Sequence, residues 1–298
     1  MELEHIYDNI YYFPHYANIG VIKCGPGKVL LIDSGLDKGI ASKLLKSLTQ
    51  NNLTPVAIIN THSHADHCGG NSYLKERTGL KIYAPELESC IIENTILEPI
   101  YFYSGASPIK DLKSKFLMAP PSKVDNVITR GEKSLKIEGI ELKIYWLDGH
   151  SPGHIGVGYN GILFCADSVF NKSVIDKHKI PFFTDIKGQI KTLEQLEKLN
   201  YNYFLPSHGT LVSDIKPLTS LNMRVIKRIE QIILNTLISR KTTGKIISKT
   251  VSEMGFEIRG PQTYYLMHTV IKAFLGYLYS ENRIEIEFDH NYLYWVKK

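Results

Sequence analysis

Residues 61–67 read Thr-His-Ser-His-Ala-Asp-His, one residue beyond the apolar run Val56-Ala57-Ile58-Ile59. Few features constrain a chain more. Imidazole nitrogen and carboxylate oxygen are the borderline ligands that zinc, iron and manganese accept, and neutral histidine is available near pH 7. Three imidazoles and a carboxylate within six positions therefore define a metal site first. With 11 histidines in 298 residues, a chance cluster of surface rings at this spacing is a poor competitor. The spacing also carries a geometry. His62 and His64 are two apart at the end of a strand or extended loop, so both rings can project to one side. Asp66 and His67 come where the chain must turn, because Gly69-Gly70 opens a helix-like stretch over 71–77. Two ligand pairs on either side of a bend suit two metal ions better than one.

Other segments extend the pattern: Leu30-Leu31-Ile32-Asp33-Ser34-Gly35, Asp148-Gly149-His150-Ser151-Pro152-Gly153-His154, Leu163-Phe164-Cys165-Ala166-Asp167-Ser168 and Pro206-Ser207-His208-Gly209. With 61–67 they form five ordered motifs, and over residues 5–213 the chain resembles the metallo-β-lactamase superfamily, in its glyoxalase II-like branch. The resemblance implies an α+β fold, an αβ/βα sandwich of two packed sheets flanked by helices, with metal ligands on loops along one edge. It implies that His62, His64 and His150 hold one metal and that Asp66, His67 and His208 hold a second. Asp167 would bridge the two, and Asp33 would support the site from behind. Three protein ligands per ion, a shared carboxylate and open positions describe a catalytic site rather than a closed structural one. The implied cofactor is two divalent ions per chain, zinc first, with iron or manganese as alternatives. A shared water loses its proton near pH 7 in such a site and can attack carbon or phosphorus, with Asp66 orienting it.

The rest of the sequence bounds the reading. The 43% apolar and 22% charged content is ordinary for a globular protein. The start Met-Glu-Leu-Glu-His lacks a basic segment followed by an apolar one, and no apolar run approaches a membrane span. A cytoplasmic protein without a membrane association is expected. Cys24, Cys68, Cys90 and Cys165 are scattered without a CxxC pair, which argues against a disulfide framework or a thiolate zinc site. Residues 1–216 balance their charges, whereas 217–298 hold 12 basic and 7 acidic residues, so the net +5 lies in the tail. That partition marks a catalytic domain over 1–213 and a second domain over 214–298.

Within the first domain two strand-rich halves look alike, with strands at 10–13, 19–23 and 29–32 and a helix at 38–51, then strands at 134–137, 141–147, 155–159 and 162–165. Each half ends in Asp-Ser. Between the motifs lie two loop-like stretches carrying aromatics, 101–121 with Tyr101, Phe102 and Tyr103, and 170–185 with Phe182 and Phe183. Loops of this composition beside a catalytic edge usually shape a pocket, so these five are the candidate substrate contacts. His15, His154 and His178 stay unassigned, as does any general acid. The tail reads as helices at 218–239, 244–254 and 261–280 and a hairpin from 283 to 296, a winged-helix-like pattern. Its third helix carries Tyr, Leu, Phe and Ile with Lys272 the only basic residue. A helix so poor in base-reading side chains disfavours nucleic acid and suits packing on the first domain, a homodimer partner or a substrate.

These features lead to one expectation, a metal-dependent hydrolase opening a thioester, lactone or related activated acyl bond in a small molecule. Three other readings stay open: a single-strand-specific endoribonuclease or phosphodiesterase using the same two-metal site, an iron persulfide dioxygenase, and a non-enzymatic nucleic-acid-binding regulator.

Overall fold

The computed structural model describes residues 2–298. Packing divides the chain into two units, one of Met1–Leu147, Pro152–Ser168 and Asn200–Asp214, the other of Asp148–Ser151, Val169–Leu199 and Ile215–Lys298.

The first unit holds both large sheets. One runs β1 (Glu4–Tyr7), β2 (Ile10–Phe13), β3 (Ile19–Gly25), β4 (Lys28–Ile32), β5 (Thr54–Ile59), β6 (Lys81–Pro85) and β7 (Asn126–Ile128), side by side in that order. β1 to β4 pair antiparallel, and β4 to β7 pair parallel. The second sheet is made of β8 (Ser134–Ile137), β9 (Ile140–Trp146), β10 (Ile155–Tyr159), β11 (Ile162–Ala166) and β12 (Tyr203–Pro206), in the order β12-β11-β10-β9-β8. Its pairs are antiparallel except the β11–β12 edge.

Alternation along the strands explains the layering. On β4 the side chains of Leu30 and Ile32 join a core with Ala57, Ile59, Ile144, Val157 and Phe164, which fills the space between the sheets. The intervening Val29 and Leu31 face the other way, toward Ala41, Leu44 and Leu48 of the helix Lys38–Gln50 and Leu74 of the helix Asn71–Thr78. A strand buried on both faces reads as a continuous apolar run, which Lys28–Ile32 and Thr54–Ile59 do. β4 and β11 end alike, in a left-handed residue that is not glycine: Asp33 at φ 66° and Ala166 at φ 47°. Such backbone is uncommon outside glycine and turns the chain sharply off the sheet edge.

The second unit is mainly helical, with helices Lys172–His178, Ile186–Lys198, Lys216–Thr236, Thr243–Glu253 and Pro261–Ser280 and the hairpin β13 (Ile284–Asp289) and β14 (Tyr292–Lys297). Ile226, Ile229, Ile233, Ile246, Val251, Val270, Phe274 and Leu278 are buried within it. Pro261 opens its helix at the first position, where the missing N–H costs nothing. The hairpin turns through His290 and Asn291, both at positive φ and opposite the pair Asp289–Tyr292, the two-residue geometry that matches strand twist. Beside the tail, this unit takes in residues 169–199. Ile186, Leu193 and Leu196 bury one face of their helix, which packs beside the helix Lys216–Thr236. The stretches 101–121 and 170–185 are also more regular than their turn-rich composition suggests, because Tyr101 and Phe102 end a short helix, Leu97–Phe102, and 172–178 form another. Among the described residues no helix is long and apolar enough to cross a membrane.

Candidate metal centre

The centre is assembled where β4, β5, β11 and β12 end. Asp33 stands at the end of β4, almost fully buried, and its carboxylate has three neighbours. One oxygen accepts the Thr61 N–H at 2.8 Å, and the other accepts the Thr61 hydroxyl at 2.8 Å and lies 2.8 Å from Nδ1 of His67. Asp33 thus holds both the entry to the histidine loop and its last ring. The loop folds tightly against the β4 end: a Cβ on Gly69 would lie 1.8 Å from the Leu36 carbonyl oxygen, and one on Gly70 2.3 Å from that of Ser34. Glycine is required at both by close approach. A buried polar network secures the floor, with the Ser34 hydroxyl donating to Asn71 Oδ1 at 2.7 Å and the Asn71 amide donating to Asn60 at 2.7 Å.

The ring nitrogens are divided between outward anchors and an inward cluster. His67 Nδ1 faces Asp33, and its Nε2 lies 3.5 Å from Asp167 and 3.9 Å from Asp66. His208 Nδ1 lies 2.7 Å from the Tyr16 carbonyl oxygen, while its Nε2 is 3.2 Å from Asp167 and 3.3 Å from Asp66. His62 Nδ1 lies 3.0 Å from the Thr61 hydroxyl, and its Nε2 is 3.1 Å from His64 Nδ1. Two sets of ligand atoms converge within 4.8 Å in this unit: His62, His67 and Asp167, and Asp66, His67 and His208. The Nε2 of His67 is buried without a hydrogen-bond partner. A donor set of imidazoles and carboxylates, each ring anchored by its far nitrogen, fits a divalent metal ion.

Electrostatics agree with that fit. Burial alone would push His67 down, but Asp167, Asp33 and Asp66 outweigh it and hold the ring well above its ordinary range. Burial also opposes charge on His208, where Asp167 and Asp66 prevail in the same way. The carboxyls show the converse. Burial raises Asp66 and Asp167, and the facing His67 and His208 reverse it, leaving both below the usual carboxylate range. In His64 burial wins, and the ring is lowered to about 4.

The other expected residues are placed as follows. His150 is carried by the segment Asp148–Ser151 of the second unit, its Nδ1 2.9 Å from the Phe182 carbonyl oxygen and its ring against Phe170 and Phe182. Tyr101 is 38% exposed and Tyr103 and Phe182 are half-buried, whereas Phe102 at 4% and Phe183 at 0% are packing residues with no surface to offer a substrate. Four residues of the centre were given no role from the sequence, His154 being named there but left unassigned. His154 is buried and its Nε2 accepts the Asp167 N–H at 3.1 Å. Tyr16, half-exposed, holds its ring 4.7 Å from that of His208. Glu88 and Glu98 are buried acids beside the histidine loop, with Glu98 4.0 Å from His64 Nε2. Burial, then Glu88 and Asp66, hold the Glu98 carboxyl well above its ordinary range. His154 alone had a usable signal, its place at the end of the 148–154 motif.

Comparison with known proteins agrees with the geometry. Residues 12–208 match the family described as the metallo-beta-lactamase superfamily. The chain is 28% identical over 137 residues to a hydroxyacylglutathione hydrolase of Serratia proteamaculans (strain 568), covering 46% of this chain and 42% of that protein. It is 28% identical over 185 residues to the probable metallo-hydrolase YybB of Bacillus subtilis (strain 168), covering 61% of this chain and 76% of that protein. The chain thus spans about two fifths of the length of the hydroxyacylglutathione hydrolases it matches. Among solved structures, a metallo-beta-lactamase family protein of Thermus thermophilus superposes with a TM-score of 0.75 at 19% identity, over 97% of this chain and 99% of that one. A beta-lactamase domain protein of Burkholderia ambifaria gives 0.73 at 16% identity, over 99% and 93%. With the family match running over residues 12–208, about two thirds of its length, the chain belongs to the metallo-β-lactamase superfamily.

Proposed function

We propose that the protein is a dinuclear metal-dependent hydrolase acting on a thioester, lactone or related activated acyl bond in a small molecule. The observation that carries this reading is the His67 ring, pinned at Nδ1 by Asp33 while its buried Nε2, without a hydrogen-bond partner, faces Asp66 and Asp167. His62, His64 and His150 would hold one ion, Asp66, His67 and His208 the other, and Asp167 both. Divalent ions at such a centre bring the pKa of water down to about 7 and polarise a carbonyl oxygen. The chain's own residues supply the rest. Asp66, partly exposed at the rim of the cluster, accepts a hydrogen bond from the attacking water and orients it. Asp33 and the Tyr16 carbonyl oxygen lie against Nδ1 of His67 and His208, which would leave Nε2 of each ring as the donor atom for an ion. Tyr101, Tyr103 and Phe182 are the expected aromatics with surface left for an acyl group. The similarity to hydroxyacylglutathione hydrolases supports acyl chemistry.

One observation favours a second reading, a phosphodiesterase acting on single-stranded RNA. The helix Lys216–Thr236 exposes Lys216, Arg224, Lys227 and Arg228, and its sole acid, Glu230, pairs with Arg283. Metal analysis of purified protein, with a panel of thioesters, lactones, phosphodiesters and single-stranded RNA, separates the two. The acyl reading expects close to two ions per chain and acyl turnover with a KM insensitive to salt. One ion under metal-replete conditions would remove the dinuclear assignment. Salt-steep RNA cleavage at catalytic enzyme levels would favour the second reading, since each neutralised phosphate contributes a slope of about −0.7 on single strands.

A further inference from the structure

The buried acid Glu88, on the helix Glu86–Glu93, lies outside every motif and takes no part in the chemistry above. Its two oxygens nevertheless reach two different segments of the centre. Oε2 accepts the N–H of Ser63, the residue between His62 and His64, at 2.9 Å, and Oε1 accepts the N–H of Gly153 at 2.8 Å. The backbone of Ser63 is held at both ends, because its carbonyl accepts from the Cys68 thiol at 3.1 Å. Gly153 is fitted to the carboxylate: a Cβ there would stand 3.0 Å from Glu88 Cγ and 3.3 Å from Oε1. The next residue is His154, whose Nε2 accepts the Asp167 N–H. A third link, Ile155 N–H to the Thr61 carbonyl at 3.0 Å, joins the same two segments. One side chain therefore sets the peptide between two ligand histidines and the start of the strand that steadies Asp167.

We infer that Glu88 is a positioning residue of the metal centre: its carboxylate bridges the Ser63 and Gly153 peptides and so fixes the spacing between the His62–His64 loop and the segment that holds Asp167. The inference rests on the metal reading of the site. A carboxylate suits this task better than an amide. It offers acceptors on both oxygens, and charge-assisted hydrogen bonds are shorter and about twice as strong as neutral ones. Glutamine keeps the shape but turns one acceptor into a donor aimed at an N–H, so one of the two ties is lost.

The test compares wild type, Glu88→Gln and Glu88→Ala with Ile92→Ala, which opens a cavity under the same helix but leaves both Glu88 hydrogen bonds in place. Zinc affinity is measured by competition with a chromophoric chelator, and unfolding is followed in the metal-free forms. Glu88→Gln should bind zinc about 10–100-fold more weakly, as is typical when an outer partner of a metal site is removed. On re-saturation with zinc its kcat should stay reduced with KM little changed. Ile92→Ala should lose stability yet keep its zinc affinity within about twofold. Wild-type affinity in Glu88→Gln, or an equal loss in Ile92→Ala, would overturn the inference while leaving the metal reading intact. A wild-type protein that takes up no zinc would overturn both. Should Glu88→Gln fail to fold, amide exchange in the wild type decides: the Ser63 and Gly153 amides should gain protection together when zinc is added, and independent behaviour would sink the idea.

Discussion

The loops at the ends of β4, β5, β11 and β12 and the interior of the C-terminal helices are both buried, but by opposite means. The helices bury Ile226, Ile229, Val270, Phe274 and Leu278, and each square ångström of hydrocarbon removed from water contributes roughly 25 cal/mol. The loops bury Asp33, His62, His67 and Asp167, beside Glu88 and Glu98 on two neighbouring helices, a set that costs free energy unless every charge finds a counterpart. Counterparts are present for much of the set: rings face carboxylates at His67 and His208, and carboxylates of Asp33 and Glu88 accept backbone N–H groups. The contrast shows where the molecule gains stability and where it gives some up. A cluster whose charges only balance one another adds little to folding but stays ready for a cation that satisfies all of them at once.

The sharpest way to break the comparison is Asp167→Ala. If the cluster serves chemistry, turnover should fall by roughly a thousandfold or more, because a shared ligand is lost, while the metal-free protein still folds cooperatively. Metal content and steady-state rates check the first half, and urea unfolding of the metal-free protein the second. In the helices the expected pattern inverts. Phe274→Ala should cost about 3–5 kcal/mol in urea unfolding, and the protein that remains folded should carry its full complement of metal. A third, smaller effect is pH dependence. In the metal-free protein His67 and His208 are raised, so their contribution is present below the ordinary histidine value of 6.5 and fades as pH rises through their folded values. Asp66 and Asp167 are lowered, so theirs is present above the ordinary 3.8 and fades as pH falls through their folded values. His64 opposes, since its cost grows as pH falls from 6.5 toward about 4. Stability of the metal-free protein should therefore peak between these carboxylate and histidine values, nearer the upper end, and Asp167→Asn should flatten the curve. A profile unchanged by that substitution would show that the cluster does not set it. The smallest effect is Tyr16→Ala, which should change KM a few-fold without loss of metal, because only its ring is removed.

Much of this was legible in the sequence, for physical reasons that differ between the regions. The His-x-His-x-Asp-His spacing announces the centre because its three imidazoles and one carboxylate are local. The strands of the sandwich show in apolar runs and alternation, and the helix from Pro261 in its periodicity and its proline start. Glu88 was not legible, since the second glutamate of Glu-Leu-Glu-Ser-Cys looks like a solvated helix residue. Its partners lie 25 and 65 positions away, and nothing local records them. Phe102 and Phe183 show the reverse error. They sit in stretches rich in glycine, proline and charge, which suggest open loops, yet large apolar side chains in such stretches still find a core to enter.

His67 and His208 are anchored by groups that differ in how easily mutation can remove them. His67 is held by the side chain of Asp33, which a single codon change can delete, but His208 is held by the main-chain carbonyl of residue 16, which every amino acid possesses. Selection can therefore replace Tyr16 freely, altering the surface beside the centre, without putting the ligand at risk. A mutational scan would score position 16 as dispensable even though its backbone is part of the machinery, and a lineage shifting to a new substrate could vary it early and with little harm.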